Sequence, residues 1–156
     1  MKKSLLLTAL TFMMLYAFSQ DAIKDFTQLM DNLKSGNDVK MVVHYKKCQL
    51  ISDNEITEKI PDAIGGLTVD VFEYFAPNSV KNDKAFVVFS ENKLIQYPKG
   101  DGYVYNYVKV KVSDDNKVKI TARYIDPKTM EEVMDENFFG EINNGSNEAG
   151  VYFYAD

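Results

Sequence analysis

Residues 103–125, YVYNYVKVKVSDDNKVKITARYI, constrain this chain more than any other stretch. Val108, Val110 and Val112 alternate with Lys109, Lys111 and Ser113, and after Asp114-Asp115-Asn116 the residues Val118 and Ile120 alternate with Lys117, Lys119 and Thr121. Successive side chains on an extended strand point to opposite faces, so a period of two predicts two strands, each with one dry and one wet face. The Asp-Asp-Asn turn between them predicts an antiparallel hairpin. A helix cannot use this pattern, because its apolar stripe recurs at steps of three and four. The fold must therefore be built on an antiparallel sheet.

Other segments extend the pattern. Val39, Met41, Val43 and Tyr45 alternate with Lys40, Val42, His44 and Lys46, and further strands are predicted at 67–76, 84–90, 93–98, 136–142 and 151–155. The apolar AFVVFS run suits a central position, while Gly65-Gly66, Gly100-Asp101-Gly102 and Asn143-Asn144-Gly145 read as breaks. Residues 21–35 predict one amphipathic helix, with Ile23, Phe26, Met30 and Leu33 on one stripe, Asp21 as its cap and Gly36 ending it. Residues 52–66 have the least strand character and predict either a helical turn or a mobile loop. The expected fold class is mainly β (α+β). An N-terminal amphipathic helix would be followed by a curled antiparallel sheet of about seven strands, left open or closed into a small barrel.

Ahead of the helix, Met1-Lys2-Lys3 precedes an uncharged apolar run from Leu5 that ends at Ala17-Phe18-Ser19. This is the layout of a secretory signal peptide over residues 1–19, with a single β-rich domain at 20–156. The run falls short of the roughly 20 apolar residues that span a bilayer. A periplasmic or secreted protein is expected, with no membrane association after cleavage. Of 18 basic and 23 acidic residues, removal of Lys2 and Lys3 leaves 16 against 23, a net charge of −7. Such a chain repels phosphate backbones, which argues against a nucleic-acid partner.

The segment VVHYKKCQL carries the one histidine, His44, and the one cysteine, Cys48. With a single cysteine no internal disulfide forms, so packing alone must hold the core. A four-residue step would bring His44 and Cys48 together on a helix, but on a strand it separates them by about 13 Å. Zinc needs three or four converging ligands, and neither that ion nor a Cys–His centre is expected. Acid runs such as Glu131-Glu132-Asp135-Glu136 are expected as solvated loops, and no acidic loop follows the ligand order of an EF-hand. Phosphate-binding glycine loops, nucleophile elbows and dinucleotide fingerprints do not occur, and no metal or cofactor is expected. The aromatic residues are numerous. Tyr103, Tyr105 and Tyr107 share one face of their strand, and with His44 they form the candidate ligand-binding set, should the sheet curl around a cavity. No catalytic residues are assigned.

Several of these segments together resemble the VirK family of small exported proteins. They are Phe26 and Leu33 ahead of Gly36, Val39 and Tyr45 leading to Cys48, FVVFSENKLI, YNYVKVKVSDDNKVKITARYIDP and the closing AGVYFYA. The resemblance implies export and, in some bacteria, association with host interaction; it implies no catalytic residue. The family pattern carries a second cysteine before the closing strand, where this chain has Phe138-Phe139, so Cys48 is left unpaired. The function expected is that of an exported, non-enzymatic monomer binding a partner protein or small ligand. The alternative is a hydrolase of envelope or extracellular carbohydrate using two acids near 131–136.

Overall fold

The computed structural model describes residues 21–52 and 55–156. The predicted signal peptide, residues 1–19, lies outside the described residues. The hairpin forms as its alternation requires. Strand β8 (Tyr103–Ser113) pairs antiparallel with β9 (Lys117–Ile125), Val110 facing Ile120 and Val112 facing Val118. These four side chains are almost wholly excluded from solvent. Asn116 takes a positive φ of 66° in the turn, a conformation asparagine tolerates better than most residues.

Eleven strands form among the described residues, and they divide into two sheets rather than closing into one barrel. The larger sheet has the order β4-β3-β10-β9-β8-β7-β6, built from β3 (Gln49–Ser52), β4 (Glu55–Thr57), β6 (Phe72–Phe75), β7 (Phe86–Gln96) and β10 (Glu132–Glu141) together with the hairpin. The smaller has the order β1-β11-β2-β5, from β1 (Asp21–Ile23), β2 (Val39–His44), β5 (Ile64–Thr68) and β11 (Val151–Ala155). All strand pairings within them are antiparallel. A single parallel bridge, Ile142 to Val151, links the end of β10 to β11. Val39, Met41, Val43, Val151 and Phe153 of the small sheet share one core with Val87, Phe89, Val110, Ile120 and Phe138 of the large one. The rings of Phe89 and Phe153 meet edge to face, centroids 6.3 Å apart, and so join the two inner faces.

Several boundaries differ from the sequence reading. The expected single run at 67–76 is two strands in different sheets, because the chain changes sheet at Val69–Val71. Gly65 and Gly66 do not break a strand; they lie inside β5, where a side chain at 66 would press on the Met41 carbonyl at 3.0 Å. Segments 84–90 and 93–98 merge into one long β7, whose pairing with β8 runs unbroken from Phe86 to Gln96. The expected loop 52–66 contributes β4 and the start of β5.

Helix α1 (Phe26–Ser35) begins later than expected, after β1 has taken Ile23 into the small sheet by pairing with Phe153. Asp25 rather than Asp21 is its cap, its carboxylate accepting from the Gln28 amide at 2.8 Å, and Gly36 ends it at φ 78°. Phe26, Leu29, Met30 and Leu33 enter the core. The Phe26 amide donates to the Asn116 side chain at 2.7 Å, and the Lys34 amine sits 5.2 Å from the Tyr74 ring centre. The helix therefore runs from the β8–β9 turn towards β6 and covers one end of the large sheet. The other end is left for the 58–63 segment.

Candidate functional site

The inner face of the large sheet changes character along its length. Register places Val110, Ile120 and Phe138 in one cross-strand row, then Val108, Ala122 and Glu136, then Asn106, Tyr124 and Met134. The first row is core. In the next two a carboxylate, an amide and a phenol stand at positions whose parity faces inward. Over them lies a cleft of about 570 Å³, closed on its far side by Tyr45 and by Ile60, Pro61 and Ala63 of the segment joining β4 to β5. Lys59 and Lys99 also line it. That volume is within the usual range for small-molecule sites.

Two tyrosines are held in place by glycines. Strand β2 stops at His44, and a 3₁₀ turn over Tyr45–Lys47 redirects the chain. The Tyr45 amide donates to the Ala63 carbonyl at 3.0 Å, which ties the cleft wall to the turn. The Tyr45 ring lies between Phe138, with centroids 4.5 Å apart, and Gly65, where a Cβ would meet the ring and its oxygen at 3.0 Å. Tyr97 lies against Gly100, where a Cβ would meet its ring at 3.1 Å, and packs edge-on against Tyr124, centroids 5.9 Å apart. Tyr45 and Tyr124, the two phenols that line the cleft, are thus packed against neighbouring rings before any ligand arrives, which lowers the ordering cost of binding.

Burial pushes the Tyr45 phenol up to about 12, reinforced by Cys48, Tyr124 and the Glu136 carboxylate; burial raises Tyr124 too, with Glu136 next. A phenol whose folded pKa lies above its unfolded value stabilises the fold fully below pH about 10, and that stability is lost as pH rises towards about 12. Ultraviolet titration of the native protein should show an ionisation near 12 that Tyr45→Phe removes. A profile unchanged by the substitution would contradict the packing of Tyr45.

The residues singled out from sequence lie elsewhere. Tyr103, Tyr105 and Tyr107 are on the outer face of β8, opposite buried Val104 and the core valines, with Tyr107 facing Arg123 across the hairpin. His44 lies on the outer face of β2, its ring 5.3 Å from that of Tyr152. The structure does not bring this histidine to the three tyrosines, since they occupy outer faces of different sheets. Cys48 is free and buried between the Tyr45–Lys47 turn and β3, its thiol 3.8 Å from the His44 carbonyl and pushed up in pKa by burial. No cluster of three or more metal-ligating groups occurs among the described residues.

The acids at 131–136 also separate. Arg123 pairs with Glu132 at 2.8 Å and forks onto both oxygens of Asp135, on the outer face, while Glu136 points into the cleft. Glu136 is the one carboxylate among the described cleft residues. A two-acid mechanism would need a second carboxyl within about 10 Å across the same cleft. The signal for the cleft was present in the sequence as polar residues at inward parity: Asn106 between Val104 and Val108, and Glu136 two positions before Phe138.

The same architecture occurs in another protein. The crystal structure of a VirK family protein from Legionella pneumophila superimposes with a TM-score of 0.63 at 15% identity, over 85% of this chain and 97% of the other. That likeness is one of fold. No curated protein matches the chain in sequence, and among the described residues no helix is long and apolar enough to cross a membrane. The family model for VirK protein matches residues 22–130, from β1 through the β8–β9 hairpin and the turn that follows it. Strand order, the central hairpin and this match over most of its length place the chain in the VirK family.

Proposed function

We propose that this protein is an exported, non-catalytic monomer that binds a small ligand in the cleft between the large sheet and the 58–63 segment. One observation carries the reading. Tyr45, Asn106, Tyr124 and Glu136 all line the cleft, and their side chains make no hydrogen bond or ion pair among the described residues. On the outer face of the same strands, by contrast, Thr121 bonds to Asn137 and Arg123 to Asp135. An apolar floor with a few unpaired polar groups is the usual make-up of a ligand site.

The test is a nitrogen-15 NMR titration with indole, a neutral aromatic probe. Amide shifts should concentrate at Tyr45, Val108, Ala122 and Phe138, and Tyr45→Ala should weaken the interaction at least about tenfold, or 1.4 kcal/mol. Shifts centred on Tyr103, Tyr105 and Tyr107 would transfer the site to the outer tyrosine face and overturn the cleft.

A further inference from the structure

The charges around the cleft are arranged in a way that bears on what it holds. Glu136 is surrounded by Tyr45, Tyr124 and Asn106, and its negative charge is felt by both phenols. It has no cationic partner; every ion pair of the described residues is made elsewhere. Two cations nevertheless line the same cleft. Lys59 belongs to the 58–63 wall and Lys99 to the turn between β7 and β8, and neither reaches Glu136. Ile60, Val108, Met134 and Phe138 supply apolar surface between them.

Glu136 is the one carboxylate lining the cleft, and a ligand ammonium beside it would form a charge-assisted hydrogen bond. A simple amine would meet two lysines and one acid, a net repulsion. A ligand carrying an anion at some distance from its ammonium turns that repulsion into attraction. Ile64 and Gly65, on the edge strand β5, also line the cleft, and an edge strand offers main-chain hydrogen-bonding groups.

Resting on the cleft reading above, we infer that the ligand is a short apolar peptide with free termini. Its α-ammonium pairs with Glu136 between Tyr45 and Tyr124, its side chains lie on the apolar floor, and its carboxylate reaches Lys59 and Lys99. A peptide of two or three residues is of the size such a volume takes.

Calorimetric titration of the full mature protein with Leu-Leu-Phe, with its N-acetylated form and with its C-terminal amide tests this directly. The free peptide should bind most tightly. Acetylation should weaken it at least tenfold and amidation about fivefold at low salt, the second difference shrinking as salt is added. Glu136→Gln, checked for folding by thermal melting, should weaken the free peptide as much as acetylation does and erase the difference between free and acetylated forms. Lys59→Gln with Lys99→Gln should likewise erase the effect of amidation. If all three peptides bind alike, the charge recognition is overturned while the cleft stands. If indole maps to the cleft and no peptide binds, the peptide class is overturned; if indole also fails to map there, the cleft reading itself falls.

Discussion

Phe153→Ala should destabilise the protein by about 3–5 kcal/mol, the range for truncating a buried aromatic side chain. Phe153 is 1% exposed at the middle of β11, between β1 and β2, and its ring meets Phe89 of the other sheet edge to face. Its removal opens a cavity where the two inner faces touch, and neither sheet can close it without shifting a whole ladder of hydrogen bonds. The edge-to-face pair with Phe89 contributes about a further 0.5–1.5 kcal/mol beyond burial, and the substitution removes it. Urea unfolding followed by far-ultraviolet circular dichroism measures the loss. A midpoint close to that of the native chain would mean that the sheets do not share this core. Against a domain stability of 5–15 kcal/mol, the variant is expected to be folded only marginally.

Gly150→Ala is the second large effect, expected at about 1–3 kcal/mol, because the new methyl would overpack a site with no room to yield. Its Cβ would stand 2.7 Å from the His44 carbonyl oxygen, 2.8 Å from Lys47 Cβ and 3.4 Å from the Cys48 sulfur. The nearest of these is backbone, and the Gly150 carbonyl accepts from the His44 amide at 2.8 Å, the bond that leads β11 into register with β2. To make room, the chain at 44–48 must move, and Tyr45 is carried in that turn. The variant should therefore lose indole binding as well as stability, whereas Phe153→Ala, if it is still folded at low temperature, should lose stability first. Hydrogen exchange at the His44 amide gives a local readout. Full protection of that amide in Gly150→Ala would show that the methyl is accommodated.

How much of this was legible beforehand depends on the range of the interaction. The hairpin 103–125 was, because both its strands and its turn are neighbours in sequence and its alternation admits one register only. The helix was found but misplaced at its start: Ile23 fits the stripe, yet it is worth more paired with Phe153, a residue far along the chain. Closure into a barrel and separation into two sheets use the same alternating strands, and the choice between them rests on non-local pairings such as β1 with β11 and β2 with β5. Nothing in the local pattern at 67–76 announced that the chain would change sheets there.

The site shows the same division. Tyrosines attracted notice on β8, and they proved to lie on its wet face; the cleft uses the other face, where Asn106 interrupts a row of valines. Parity alone placed Asn106 and Glu136 on inward faces, since the side-chain period of a strand is two whatever its neighbours are. It could not say that they lie in adjacent rows beyond the core, nor that Tyr45 would line the same cleft.

By itself, then, the sequence determined that the chain is a β protein without an internal disulfide, which faces of its central strands are dry, and which polar residues break that dryness. These follow from local geometry and composition. Only the tertiary structure decided whether an inward polar residue is buried or opens into a cleft. That depends on which end of the large sheet the helix covers, and the helix is held at the Asn116 end by a hydrogen bond spanning 90 residues. Contacts of that separation are selected by the packing of the whole core, so no short stretch of sequence carries them.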